Sequence, residues 1–89
     1  MEKTFKITAQ EGLHARPSAI LVNAVGAFTS TIEIVHNERA VNLKSIMSVM
    51  TLGVKTDDVV TIRVEGDDAE QALVKITEVL TQENVAIEA

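Results

Sequence analysis

The residues most able to do chemistry in this sequence are His14 and Arg16, which lie in the stretch Gly12–Pro17. Proline is favoured at the first position of a helix, where its missing N–H costs no hydrogen bond. Apolar residues at helical spacing begin at the same point, namely Pro17, Ile20, Leu21, Ala24, Val25 and Phe28. His14 is therefore predicted at a helix N-terminus, beside unpaired backbone N–H groups and the positive end of the helix dipole.

A histidine in this position is suited to carrying a phosphoryl group. Neutral imidazole is a nucleophile near neutral pH, and a helix N-terminus binds anions. The forked guanidinium of Arg16 adds donors that match phosphate oxygens. We therefore predict that His14 accepts phosphate and that the helix start, Ala15, Arg16 and Pro17, binds it. The residues alone leave an alternative open, in which His14 is an ordinary polar residue at a helix end.

The remaining pattern predicts the elements that position this helix start. Alternating residues predict strands at about 4–8, 31–34, 41–43 and 60–65. Helices are predicted at about 16–27, at about 45–52 with Ser45 as N-cap, and after Asp68 as N-cap. His36 is expected to be an exposed residue of a hairpin turn at 36–39. The tail at 82–89 is expected to fray.

Each predicted strand has one apolar face and each helix one apolar stripe, so the elements must pack in two layers. We predict an α+β open-faced β-sandwich, in which a four-stranded, mostly antiparallel sheet packs against three helices. The 89 residues are expected to form one domain, 1–89.

Composition narrows the compartment and the kinds of ligand. The chain has no cysteine, which excludes disulfides and thiolate metal sites. It has no apolar run near the ~20 residues of a membrane span and no apolar signal region, so we expect a cytoplasmic protein that does not enter membranes. His14 and His36 are far apart in sequence and lack a third ligand, so we predict no metal site. We also expect no cofactor.

Charge is distributed unevenly along the chain, whose net charge is −5. Residues 1–45 hold five basic and four acidic side chains, whereas residues 46–89 hold three basic and nine acidic ones. An acidic partner surface would therefore be steered toward the half that contains His14. Direct binding of nucleic acid is not expected, because the chain lacks a basic patch.

Two stretches, Gly12–Pro17 and Asn42–Gly53, together resemble the HPr family in the version found in low-GC Gram-positive bacteria. These are the histidine-containing phosphocarrier proteins of the bacterial sugar phosphotransferase system, and the resemblance covers essentially the whole chain. It implies three helices on one face of the sheet. It also implies that His14 takes phosphate on its δ nitrogen from enzyme I and gives it to the IIA units of sugar permeases, with Arg16 as electrostatic companion. Such a carrier has no independent turnover, and we expect a monomer.

The resemblance implies a second role for Ser45, which the residues alone predict only as a helix cap. The matching serine in the Gram-positive family is phosphorylated by an ATP-dependent HPr kinase. The family also docks enzyme I, the IIA units and a catabolite-control transcriptional regulator through the short helix and the exposed face of the first helix. The residues predicted to bind these partners are Ala19, Asn23, Ala27, Ile46, Met47 and Met50.

Some positions depart from the family pattern, and three other functions remain open. Gly26 and Ala27 replace a polar and basic pair, Ser48 stands where glycine is usual, and His36 stands where tyrosine is common. These departures put partner docking in question without touching His14. The alternatives are a regulatory-only paralogue controlled through Ser45, a plain interaction module, and a small histidine-dependent phosphatase or transferase. Known regulatory-only paralogues lack the active histidine, so the presence of His14 argues against the first alternative. A phosphatase or transferase should show more convergent polar groups than Arg16 alone.

Overall fold

A computed structural model describes residues 1–89 and contains five strands and three helices. The strands are β1 (Glu2–Ile7), β2 (Thr31–His36), β3 (Arg39–Asn42), β4 (Val59–Glu65) and β5 (Ala86–Glu88), and the helices are α1 (Ala15–Val25), α2 (Ile46–Met50) and α3 (Ala69–Gln82). They form one sheet in the order β3-β2-β4-β1-β5, in which all neighbours are antiparallel. The predicted α+β class is confirmed, and the sheet has one strand more than predicted.

One face of the sheet is buried and the other is open, because apolar and polar residues alternate along the strands. The inner face and the helices share one core, whose fully buried large side chains include Phe5, Ile7, Leu21, Val25, Ile32, Ile34, Ile62, Ile76 and Leu80. The open face carries polar pairs, such as Arg63 and Glu33, whose side chains approach to 3.2 Å. All three helices therefore cover a single face. None of them is both long enough and apolar enough to cross a membrane.

The expectation that the tail at 82–89 frays is wrong. Strand β5 pairs with β1, Ile7 lies opposite Ala86, and the N–H of Ala89 donates to the carbonyl of Thr4 over 3.0 Å. Val85 and Ala86 are buried in the core. A strand of three residues is too short to give a visible alternation, whereas the two buried side chains are enough to hold it on the edge of the sheet.

The expectation that His36 is an exposed turn residue is also wrong. The hairpin turn itself is confirmed, with Asn37 and Glu38 both at positive φ, as primed two-residue turns require. His36 continues the inward alternation of β2 and is 6% exposed. Its Nε2 lies 2.9 Å from Oδ2 of Asp58, which also accepts the backbone N–H of Lys55. The pKa of Asp58 is held below its usual value chiefly by the hydrogen bond from the N–H of Lys55, and to a smaller extent by the hydrogen bond to His36 and the charge of that ring.

Asp68 immediately precedes α3 as predicted, but its side chain does not cap that helix. The carboxylate instead accepts the backbone N–H groups of Thr29 and Ser30 over 2.8 and 3.0 Å, and it also accepts both of their hydroxyl groups. Donation from the Ser30 hydroxyl and the Thr29 N–H lowers the pKa of Asp68 to about 2. Asp68 therefore ties the start of α3 to the loop that leads from α1 into β2.

Candidate functional site

The start of α1 presents unpaired backbone donors beside an imidazole. His14 is the N-cap, and its carbonyl accepts the N–H of Ser18 over 3.1 Å, which closes the first turn. The N–H groups of Ala15 and Arg16 donate to no acceptor in the chain. Pro17 is the third helical residue rather than the first, but a helix leaves that N–H unbonded too, so proline costs no hydrogen bond there. The predicted helix start is present, and two of its three residues offer donors.

The side chain of His14 is not used by the fold. It makes no capping hydrogen bond, and 40% of its surface is accessible. Its Nε2 lies 3.7 Å from Oε2 of Glu11. Arg16 is exposed and forms no ion pair. Because neither side chain is engaged in holding the structure together, both are available to a ligand or a partner.

The backbone beneath this imidazole is held on both sides. Gly12 has φ +70°, and a Cβ there would overlap the carbonyl of Val54 and lie 2.7 Å from Cα of Lys55. The N–H of Leu13 donates to Val54 over 3.0 Å, and the buried hydroxyl of Ser18 donates to the carbonyl of Leu13 over 3.0 Å. His14 therefore stands on a rigid support.

A shallow cleft surrounds His14. One wall is formed by the segment before α1 and by the start of α1, and the other wall by the segment after α3. The residues that line the cleft are Ala9, Gln10, Glu11, His14, Arg16, Pro17, Glu83, Asn84 and Val85. The two walls are joined where the carbonyl of Val85 accepts the N–H groups of Thr8 and Ala9 over 2.8 and 3.0 Å. An imidazole, free N–H groups and an unpaired guanidinium in an open cleft can receive a transferable anion.

The cleft also contains residues that sequence reasoning missed. Glu11 precedes His14 by three residues, and that spacing was the signal that could have revealed the pair. Glu83 and Asn84 reach the cleft only because β5 returns the chain to β1, so no local pattern predicts them. No group of three or more His, Cys, Asp or Glu side chains is arranged as a metal site would require.

Ser45 caps α2 as predicted. Its Oγ accepts the backbone N–H of Ser48 over 3.3 Å, which satisfies one free donor of the helix. The helix is shorter than expected and ends at Met50, after which the chain turns to Gly53 at φ +63°. Lys44, just before the cap, donates to the carbonyl of Phe28 over 2.6 Å. Since α1 and α2 are in contact, Ser45 and the helix that follows His14 belong to one packed unit.

The residues predicted to bind partners differ in exposure. Met47 and Met50 are 76% and 45% exposed, whereas Val49 on the same helix is buried. Asn23 and Ala27 are exposed, and Ala19 and Ile46 are half-buried. Ala27 does not lie on the face of α1, because the helix ends at Val25 with Gly26 as its C-cap. The structure therefore leaves an apolar surface on α2 and a mixed one on α1.

Comparisons with known proteins agree on one family. The family model described as "PTS HPr component phosphorylation site" matches residues 1–82. The chain is similar to the histidine-containing phosphocarrier protein of a mycoplasma, with 39% identity and a TM-score of 0.92 over 96% of this chain and 97% of that one. It is also similar to HPr of Thermoanaerobacter tengcongensis, with 38% identity and a TM-score of 0.88 over 93% of both chains.

A third similar structure is the Bacillus subtilis catabolite repression protein Crh, solved as a domain-swapped dimer. It is 36% identical, with a TM-score of 0.73 over 88% of this chain and 90% of that one. The fold is therefore shared by phosphocarriers and by a protein named for catabolite repression.

Proposed function

The chain belongs to the HPr family of histidine-containing phosphocarrier proteins, and we propose that His14 is its phosphate-carrying residue. In this proposal Nδ1 takes the phosphoryl group from enzyme I and passes it to the IIA units of sugar permeases in the cytoplasm. The observation that carries the proposal is an imidazole at the N-cap of α1 that is 40% accessible and makes no capping bond, beside unpaired donors.

The transfer step requires a nucleophile on one side of phosphorus and a leaving atom on the other. The lone pair of Nδ1 forms the bond to phosphorus while the bond from phosphorus to the donor protein breaks, and the donor keeps that electron pair. In this proposal the phosphate oxygens are held by the N–H groups of Ala15 and Arg16 and by the Arg16 guanidinium. Because the cleft is open, a second protein can approach the phosphate and remove it.

The direct test is to incubate the protein with phosphoenolpyruvate and enzyme I and to locate the phosphate by mass spectrometry. We expect one acid-labile, base-stable phosphate on the peptide that contains His14, and none in the His14→Ala variant. His36→Gln is the matched control, because it removes the other histidine and leaves the cleft intact. Uptake of phosphate by His14→Ala would place the acceptor elsewhere and contradict the proposal.

We assign to Arg16 the stabilisation of the phosphate during transfer. Its unpaired guanidinium lines the cleft beside His14, and its fork of donors matches phosphate oxygens better than a lysine ammonium does. We expect Arg16→Lys to slow transfer and Arg16→Glu to slow it further, with little change in melting temperature because the side chain is exposed. Unchanged transfer rates in Arg16→Glu would reduce the residue to a surface charge.

Ser45 is proposed as a second phosphorylation site, modified by HPr kinase and read by the catabolite-control regulator. A phosphate there would add a charge of about −2 at the start of α2, next to the helix that begins at His14. Such a charge would repel an acidic partner surface and slow transfer without refolding the protein. Ala19, Asn23, Ala27, Ile46, Met47 and Met50 are proposed as the docking residues for these partners.

The charge mechanism is tested with Ser45→Asp and Ser45→Ala. Aspartate is also a good N-cap, so Ser45→Asp should keep its melting temperature while transfer from enzyme I slows, and part of the loss should be screened by salt. Alanine removes the cap and should cost about 0.5–2 kcal/mol of stability while transfer is kept. Transfer by Ser45→Asp at the parent rate in low salt would leave Ser45 as a cap alone.

A second candidate is a regulatory protein of the same fold that carries no phosphate on histidine. The similarity to Crh favours testing it. The two functions differ in the enzyme I reaction: a phosphocarrier takes phosphate on His14, and a regulatory protein is modified at Ser45 only. Phosphate on Ser45 from ATP and a kinase, with none on His14 from phosphoenolpyruvate, would select the second candidate.

A further inference from the structure

Among the ion pairs of the chain, the one that includes His14 is formed with Glu11. Its Oε2 lies 3.7 Å from Nε2 of the ring, which is the distance of a charge pair rather than of a direct hydrogen bond. The side chain of Glu11 is 77% accessible, so a small rotation can close the remaining gap. A carboxylate accepts hydrogen bonds and does not donate them, so the ring nitrogen that faces it is favoured to carry the hydrogen.

We propose that Glu11 is a positioning residue, which accepts the N–H of Nε2 and leaves Nδ1 of His14 as the free nucleophile. Neutral imidazole has one protonated nitrogen and one lone pair, and a carboxylate beside one nitrogen selects the tautomer and the orientation of the ring. This inference rests on the proposed function, since the choice of nitrogen matters for transfer only if His14 carries phosphate.

The backbone brings the two side chains together. The N–H of Gly12 closes a turn onto the carbonyl of Ala9 over 2.9 Å, and the N–H of Leu13 donates to Val54 over 3.0 Å. Glu11 therefore lies within the turn from Ala9 to Gly12, and His14 directly follows the residue that Val54 holds. The contact also leaves the unpaired donors of the helix start free, because Glu11 precedes the helix and meets the ring at Nε2.

The same contact acts while phosphate is transferred. As the lone pair of Nδ1 bonds to phosphorus, the donor keeps the electron pair of the bond that breaks, and the proton on Nε2 stays on the ring. The ring then gains positive charge, which the carboxylate of Glu11 complements at Nε2. The phosphate is bound at the other nitrogen, so the imidazole ring lies between the negative charge of the phosphate and that of the Glu11 carboxylate.

Two substitutions at Glu11 separate these effects from a general change of charge. Glu11→Ala removes the acceptor and the charge, whereas Glu11→Gln keeps a carbonyl acceptor. Glu83→Gln is the matched control, because Glu83 lines the same cleft and makes no ion pair with His14. Glu11 is exposed and takes no part in the core, so each variant is expected to fold, which its amide NMR spectrum checks.

The deciding readout is the ¹⁵N NMR spectrum of the His14 ring in the unphosphorylated protein, recorded where the ring is neutral. We expect more of the Nε2–H tautomer in the parent and in Glu83→Gln than in an unstructured histidine peptide. In Glu11→Ala the proportion should fall to that of the peptide, and in Glu11→Gln it should lie between. An unchanged proportion in Glu11→Ala would overturn the inference, whatever the protein does with phosphate.

Transfer rates from enzyme I give the second readout. We expect Glu11→Ala to lower kcat about fivefold, the scale of an exposed charge pair, with KM unchanged, and to lower it more than Glu83→Gln does. Equal rates in Glu11→Ala and the parent would contradict the role of Glu11 in transfer. A parent protein that takes no phosphate on His14 would contradict the proposed function instead, and the tautomer measurement would still decide whether Glu11 positions the ring.

Discussion

Replacing Gly12 with alanine tests whether the loop beneath His14 is as tightly held as the structure indicates. Gly12 has φ +70°, where a side chain is strained, and its Cβ would meet the carbonyl of Val54 and lie 2.7 Å from Cα of Lys55. These neighbours are backbone atoms, so they cannot move away as a flexible side chain could. The loop must shift, and His14 lies two residues further along it.

The expected cost has two parts. An L-residue in the left-handed region costs roughly 1–2 kcal/mol, and forcing extra volume into a packed site costs typically 1–3 kcal/mol more. Gly12→Ala should therefore lower the free energy of unfolding by about 2–5 kcal/mol. In a domain of this size each 1 kcal/mol lowers Tm by roughly 4–8 °C, so we expect a fall in Tm of at least about 8 °C.

Gly53→Ala is the control for this experiment. Gly53 has a similar φ of +63°, but a Cβ there has no atom within 4 Å. It should show only the conformational cost, about 1–2 kcal/mol, and it should transfer phosphate at the parent rate. Denaturant unfolding and transfer from enzyme I would be measured on both variants. The reasoning is refuted if Gly12→Ala is no less stable than Gly53→Ala, or if it transfers phosphate as fast.

Three further predictions concern the parts of the fold that differ from expectation. Because folding lowers the pKa of Asp68 from 3.8 to about 2, the ionised carboxylate stabilises the folded state above about pH 4, and this contribution is lost as the pH falls toward 2. Asp68→Asn should therefore be less stable than the parent at neutral pH and should lose less stability on acidification. Denaturant unfolding measured across this pH range checks both expectations. His36→Phe should lower the free energy of unfolding by about 1 kcal/mol, since it removes one hydrogen bond to the partly exposed carboxylate of Asp58; an unchanged denaturation midpoint would contradict this. A chain that ends at Val85 lacks β5 and should lose about 2–3 kcal/mol through the missing strand bonds, whereas a frayed tail would make no difference to its melting curve.

The sequence was sufficient to predict the elements whose signals are local. The helix that follows His14 was predicted from one proline and an apolar period, and both the start of α1 and its exposed N-terminus are present. The cap at Ser45 was predicted because an N-cap bonds within its own first turn. The turn at Asn37 and Glu38 was predicted from residue types that favour turns.

The features that were missed depend on contacts between distant residues. Asp68 has the right type and place for a cap, yet Ser30 and Thr29 offer it four donors from the loop between α1 and β2, which is distant in sequence. His36 directly precedes the turn residues Asn37 and Glu38, but the alternation of β2 continues through it and turns it toward Asp58. Only the side of the cleft that contains His14 and Arg16 could be predicted. The opposite wall is positioned by the pairing of β5 with β1, which no local pattern in the sequence indicates.

The most direct test of the proposed function is a ¹⁵N NMR spectrum of the His14 ring after reaction with phosphoenolpyruvate and enzyme I. If His14 is the carrier, coupling to phosphorus will be seen at its Nδ1, the signal of Nε2 will remain that of a protonated nitrogen, and the coupling will disappear when a IIA protein is added. Coupling at Nε2, coupling on His36, or a phosphate confined to Ser45 would contradict the account.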